Sequence, residues 1–263
     1  MTDGPGGGSG TGEGRMTDGE RLDGGFVTEV RRVGDTVRRV RPPRAAYVEA
    51  LLEHLERVGY PGAPRFLGTD GRGRQVLGFL AGHVPWREPA DPATRADPAL
   101  TALARLLRGL HDACAGTGLA GDAETVCHRD LSPKNTVYRD TGTGLLPVAF
   151  LDWDLAGPGR RIEDVAFAAW HWADLGAGAD PAELGRRARV LCDGYAAPLP
   201  RTELVDVMLA QLDGTWRGID AGADRGEPAM LRLRALGVVD TVRAWHAWLG
   251  THRHATETAL LGG

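Results

Sequence analysis

The chain has 263 residues, a net charge of −4 and 42% hydrophobic side chains. That is enough for one large domain or two lobes around a cleft, and nothing in the acidic balance points to a nucleic-acid surface, so no nucleic-acid partner is expected. The three cysteines, Cys114, Cys127 and Cys192, match no zinc or disulfide spacing, and no apolar run approaches the ~18 residues of a membrane span, so the expectation is a protein of the reducing cytoplasm with no membrane partner.

Residues 1–20 are rich in glycine and nearly devoid of large apolar groups. Such a segment cannot bury enough surface to offset its ordering entropy, so order is expected from about Gly24. FVTEVRRVG and DTVRRV then predict a hairpin across Gly34-Asp35. Residues 45–59 predict a helix with Val48, Leu51, Leu52 and Leu55 on one face. Two more strands are expected around the turn at residues 70–74. Residues 21–82 therefore read as a small β-rich, nucleotide-binding lobe, and 83–263 as a larger, mainly helical lobe.

A Pro- and charge-rich connector, 85–98, precedes the amphipathic helix ALTALARLLRGLHDACAG. VCHRDLSPKN follows, then a hairpin around the turn at 140–144. The remainder predicts helices at 164–174, 181–195, 202–220 and 229–257. The fold class is α+β.

VCHRDLSPKN contains Lys134, the only lysine in the chain. His128-Arg129-Asp130-Leu131 and Asn135 fit H-R-D-L-x-x-x-N, and Asp152 stands 17 residues beyond Asn135 at the end of the second hairpin strand. This is the catalytic-loop and metal-loop arrangement of kinases. Phosphoryl transfer needs an acceptor hydroxyl held in line and a cation to neutralise phosphate charge. Asp130 would accept a hydrogen bond from that hydroxyl. Asn135 and Asp152 offer oxygen ligands to Mg²⁺, a hard cation, and the hairpin folds them together.

HRDLSPKN, FLDWDLAGPG and EDVA, in that order, resemble the aminoglycoside phosphotransferase and choline kinase-like family, relatives of the protein kinases; LLRGLHD resembles the family's helix before the loop. The resemblance runs from about Gly24 to at least Trp172. It implies a bilobal protein-kinase-like fold and a Mg²⁺-dependent transfer from ATP or GTP to a small-molecule hydroxyl, with the oligomeric state left open. A protein kinase is disfavoured by Ser132, where such enzymes carry lysine, and by the short stretch between Asp152 and Asp164. A non-catalytic nucleotide-binding or immunity-type protein on the same fold is the alternative.

The resemblance also assigns supporting roles. Kinases hold the nucleotide phosphates with a lysine on the third strand; here only an arginine is available, and VRRVRPP selects Arg39, with Arg38 on the opposite face. Its partner is either Glu49 or Glu53. Gly24-Gly25 begin the phosphate-covering loop, and Leu80 and Gly82 are adenine-side candidates by position alone. Asp154 assists the metal, Asp164 braces the catalytic loop, and His128 is structural rather than a base. Ser132 and Lys134 border the acceptor side, with Lys134 facing either acceptor or solvent. Asp220, Asp224 and Glu227 are expected in a loop between helices, where they could meet a cationic acceptor such as an aminoglycoside or could simply be solvated. Six of the seven tryptophans, Trp153, Trp170, Trp172, Trp216, Trp245 and Trp248, fall after residue 150. Most are expected to pack helices, a minority to line the cleft.

Overall fold

The computed structural model describes residues 19–22, 30–86, 91–142 and 144–262. The expected unstructured tail (all but its last two residues, Gly19 and Glu20) and the Gly24-Gly25 loop lie outside the described residues.

The small lobe is an antiparallel sheet in the order β1-β2-β3-β5-β4. Strands β2 (Val30–Val33) and β3 (Thr36–Arg39) form the expected hairpin across Gly34-Asp35. The edge of β2 is extended by β1 (Glu20–Arg21), through Glu20 opposite Arg32 and Arg21 opposite Arg31. Order thus begins earlier than expected, because an open strand edge offers unpaired backbone groups. Strand β5 (Gln75–Gly78) lies between β3 and β4 (Phe66–Thr69), with Arg39 opposite Gln75. Helix α1 (Ala45–Arg57) buries Val48, Leu51, Leu52 and Leu55, as its periodicity predicts, and also Glu49.

Across the connector, His83 pairs with Tyr138 as an isolated bridge. Helix α2 (Asp97–Cys114) buries a Leu-rich face and His111. Strands β7 (Thr136–Asp140) and β8 (Leu145–Phe150) form the expected hairpin, with Thr136 opposite Phe150.

Sequence patterning misses one pairing. Strand β6 (Thr125–Cys127) is antiparallel to β9 (Gly157–Gly159), and Gly-Pro-Gly has no strand propensity. Its glycines serve close approach: a Cβ on Gly159 would come within 2.8 Å of the Cys127 sulfur.

Helices α3 (Arg161–Trp172), α4 (Pro181–Tyr195) and α5 (Leu204–Asp224) follow. The helix expected at 229–257 is three helices, α6 (Pro228–Ala235), α7 (Val238–Thr251) and α8 (Arg253–Leu261). Gly237 breaks the first junction at φ 74°, in the left-handed region. One continuous apolar core runs from Val48 and Leu52 of α1 through α2 to Leu260 of α8, so the two lobes share an interior. No described helix is long and apolar enough to cross a membrane.

Candidate active site

Strand β6 delivers the chain to His128, and its pairing with β9 brings α3 alongside. Asp164, fully buried on α3, accepts hydrogen bonds from the backbone N–H of His128 at 2.6 Å and of Arg129 at 2.9 Å. It also faces His111 Nε2 at 3.2 Å. Burial pushes the Asp164 carboxyl upward, but the His111 hydrogen bond and the charges of His111 and His128, with the Arg129 N–H, outweigh it and leave the group below its usual range. This brace holds Arg129 at φ 65°, an αL conformation that costs a non-glycine residue roughly 1–3 kcal/mol and persists where the surroundings over-determine it.

His128 packs against Phe150 and Trp153, with ring centroids 5.7 and 4.7 Å away, and its Nδ1 accepts the Asp130 N–H at 3.3 Å. Burial drives its imidazole down to about 4, so it is uncharged near neutral pH.

Asp130 is gripped by Asn135. The Asn135 amide nitrogen donates to the Asp130 backbone oxygen at 2.9 Å and to Oδ2 at 2.8 Å. Burial first, then the charge of Asp152, raise the Asp130 carboxyl to about 7, against the pull of Asn135. With its nitrogen engaged, the Asn135 side-chain oxygen accepts no hydrogen bond among the described residues.

The hairpin returns Asp152 to this point. Leu151 N–H donates to the Asn135 carbonyl at 2.7 Å, and Asp152 sits at φ 58°, a second strained residue in the same cleft. Buried Trp153 anchors the turn by donating Nε1–H to the Phe150 carbonyl at 3.0 Å. The Asp152 carboxyl is raised by burial and by Asp154, opposed by Arg39; half of its side chain remains open to solvent, which limits that shift.

Arg39 reaches these carboxylates from the small lobe. Its Nη2 donates to Asp154 Oδ1 at 2.5 Å, and Nη1 lies 3.5 Å from Asp152 Oδ1. The guanidinium therefore lies between two carboxylates. The oxygen donors of Asn135, Asp152 and Asp154 suit Mg²⁺.

Register orients Arg39. Gln75, opposite it on β5, accepts from Arg39 Nε at 2.8 Å, and its own amide lies 3.3 Å from Glu49 Oε1. Glu49 in turn takes a two-pronged hydrogen bond from Arg41 at 2.9 and 2.7 Å. Of the two candidate glutamates, buried Glu49 is the inward one, while Glu53 is exposed. Glu49 pairs directly with Arg41 and reaches Arg39 only through Gln75. Sequence reasoning missed Gln75 and Arg41; a glutamine in a strand facing an inward arginine carries no signal until the register is known. Arg38 points the other way, toward Asp70 at 3.5 Å.

The other candidates divide. Leu80 lies in the crossover before the His83–Tyr138 bridge, and a Cβ on Gly82 would meet the Tyr138 carbonyl at 2.6 Å. Ser132 is buried, its carbonyl accepting the Asn135 N–H at 3.0 Å, whereas Lys134 is exposed. The acidic trio is not in a free loop. Asp220 and Asp224 belong to α5, whose apolar face continues further than expected, and Glu227 stands at the position just before α6. Arg234 contacts Asp220 at 3.0 Å and Asp224 at 2.6 Å, and Arg225 contacts Glu227 at 2.7 Å. Each of these acids thus has an arginine partner, with Arg234 shared between Asp220 and Asp224.

His111, Cys127 and Asp164 present donor atoms within 4.8 Å of one another. Each is committed, Cys127 to the Arg160 carbonyl at 3.2 Å and the other two to the loop brace. A cavity of about 400 Å³ beyond α3, walled by Asp174, Asp180, Glu183 and Arg187 among others, contains none of the predicted site residues.

The fold and this cleft define a protein-kinase-like small-molecule phosphotransferase architecture. Residues 112–200 match the family model APH, the phosphotransferase enzyme family. A trifolitoxin immunity protein from Rhizobium leguminosarum bv. trifolii is 32% identical over 93% of this chain and all of that protein. The chain belongs to the phosphotransferase enzyme family. Solved structures share the fold at low identity. A choline/ethanolamine kinase family protein from Mesorhizobium loti is 18% identical, covering 95% of this chain and 94% of that one, with a TM-score of 0.61. An ethanolamine kinase from Plasmodium vivax is 12% identical over 90% and 82%, with a TM-score of 0.62. APH(2")-IIia, in complex with GDP and kanamycin, is 13% identical over 86% and 92%, with a TM-score of 0.58.

Proposed function

We propose that the protein transfers the γ-phosphoryl group of ATP or GTP to a hydroxyl of a small-molecule acceptor, antibiotics among the candidates. Asp130 orients the hydroxyl and takes its proton. The acceptor oxygen forms the new P–O bond as the bond to the bridging oxygen breaks, and the nucleoside diphosphate leaves. Asn135 and Asp152 would hold Mg²⁺, assisted by Asp154; the ion supplies charge neutralisation at the phosphates when bound. Arg39 would move from the carboxylates to the nucleotide phosphates, its planar fork suiting phosphate oxygens. Gly24-Gly25 and Leu80 remain the proposed phosphate-loop and adenine-side residues.

The observation that carries this reading is the grip of Asn135 on Asp130 at 2.8 Å. It joins the proposed base and a proposed metal ligand in one unit, with Asp152 brought alongside. The test is nucleotide-dependent phosphate transfer with and without Mg²⁺, screened over aminoglycosides, peptide antibiotics, amino alcohols and sugars. Mg²⁺-dependent transfer that Asp152→Asn abolishes supports it, whereas transfer indifferent to both sinks it.

A second reading is a non-catalytic, nucleotide-binding immunity protein. The similarity to a protein named for immunity and the replacement of the usual lysine by Arg39 favour it. It predicts nucleotide binding without turnover in the same assay.

A further inference from the structure

Two arginines that the proposed transfer does not use meet where the lobes join. Arg44 immediately precedes α1 of the small lobe, and Arg129 stands between His128 and Asp130 in the large one. Their side chains converge on Gly157 of β9. A Cβ at that residue would lie 3.3 and 3.6 Å from the two terminal nitrogens of Arg44 and 3.4 Å from Arg129 Nη1. Gly157 does not adopt a positive φ, so its missing side chain makes room for the two guanidiniums rather than for an unusual backbone. The β6–β9 pairing sets the meeting point, because Gly157 lies opposite Cys127, two residues before Arg129.

Like charges held against one point repel unless an anion lies between them. Arg129 is only partly committed. Its Nη2 donates to the Pro158 carbonyl and lies 4.0 Å from Glu163 Oε2. Its Nη1, the nitrogen that faces Gly157, donates no hydrogen bond among the described residues. Arg44 has neither a hydrogen bond nor an ion pair among them; its guanidinium lies over the Tyr47 ring, 5.0 Å from the centroid. Glu163 is shared, since its other oxygen takes the Arg160 N–H at 3.2 Å. Two positive charges therefore stand against one divided negative charge, and both arginines are exposed, so a ligand reaches them from solvent.

We infer that Arg44 and Arg129 form a binding site for a tetrahedral oxyanion, inorganic phosphate or a phosphate monoester, at the junction of the lobes. A guanidinium fork matches phosphate oxygens, and two of them suit a dianion. The bound oxyanion ties the start of α1 to the loop that carries Asp130. The site is separate from the cleft cation, since Arg39, not Arg44 or Arg129, pairs with Asp152 and Asp154. It does not depend on the proposed transfer.

The test is calorimetric titration of the full chain, free of nucleotide, with sodium phosphate and with glycerol 3-phosphate at constant ionic strength. The natural chain is compared with Arg44→Ala, Arg44→Lys and Arg39→Ala. Arg44 is exposed and makes no ion pair among the described residues, so its variants leave the fold intact. The expected result is saturable one-to-one binding that Arg44→Ala weakens about tenfold, the loss of one charge-assisted hydrogen bond. Arg44→Lys keeps the charge without the fork and recovers part of the affinity. Arg39→Ala binds as the natural chain does, because that guanidinium belongs to the cleft. Binding of either compound that requires Arg44 supports the site, and the tighter of the two separates the free ion from the monoester. Two results overturn the inference: no saturable binding of either compound, or an affinity that Arg44→Ala leaves unchanged, whether or not Arg39→Ala abolishes it.

Discussion

Arg39 donates to Asp154 across 2.5 Å, tying the third strand of the small lobe to the loop that follows β8 in the large one. The same guanidinium is aimed by Gln75, at 2.8 Å from Nε. This pair joins the proposed phosphate-holding cation to the proposed metal ligands, so its removal should be felt on the nucleotide side. Arg39→Ala is expected to lower kcat/KM for nucleotide by roughly 10- to 100-fold, the worth of one or two charge-assisted hydrogen bonds. Arg39→Lys should retain part of the rate, since it keeps the charge and loses the fork. Steady-state kinetics with nucleotide varied at fixed acceptor decides this; an effect confined to acceptor KM would contradict it.

Gln75 is fully buried between Arg39 and Glu49. Gln75→Leu removes both contacts and leaves a buried guanidinium nitrogen unpaired, at a cost of about 1–3 kcal/mol. Denaturant unfolding should show that loss, and nucleotide KM should rise because Arg39 is no longer aimed. Unchanged stability and unchanged KM would remove Gln75 from the account.

His128 gives the stability a pH signature. Its imidazole is near 4 in the folded chain, below the ordinary 6.5, so the unfolded chain binds the proton more tightly. Stability from this group is complete above about pH 6.5 and is lost as pH falls toward 4, by an amount on the order of 3 kcal/mol. Urea midpoints between pH 7 and 4 should decline accordingly, and His128→Asn should flatten the decline. An equal slope in the variant would place the acid sensitivity elsewhere.

Asp164 holds the loop that carries Asp130, the proposed base, by two backbone N–H groups, and faces His111. Asp164→Ala is expected to destabilise by about 3–5 kcal/mol, the usual cost of removing one partner from a buried charged network. Asp164→Asn should also lower kcat with little change in nucleotide KM, because it disturbs the loop and leaves Arg39 in place. A purely thermal effect with normal kcat would reduce Asp164 to a packing residue.

Much of this site is legible in the chain itself. The spacing from Asp130 to Asn135 is local, and the intervening hairpin is announced by its turn residues, so Asp152 can be placed beside them. The family resemblance of VRRVRPP selects Arg39, and strand alternation then puts Arg38 on the opposite face. What is not legible depends on contacts between distant segments. The Arg39–Gln75–Glu49 relay requires the β3–β5 register, which no local pattern encodes. Strand β9 is hidden because Gly157-Pro158-Gly159 pairs through backbone proximity rather than propensity. Asp220 and Asp224 carried no sign of a partner because Arg234, which contacts both, comes from a different helix. Gly237 did carry a visible signal, and the apolar period on both sides masked the break.

The central claim is that Asp130 serves phosphoryl transfer in a cleft completed by Asn135 and Asp152. Its most direct test is the transfer of labelled γ-phosphate from Mg-nucleotide to the best acceptor found, comparing Asp130→Asn with the natural chain. The account predicts a fall of about 10²–10⁴-fold in that rate with nucleotide binding retained. An equal rate in the two proteins would contradict it.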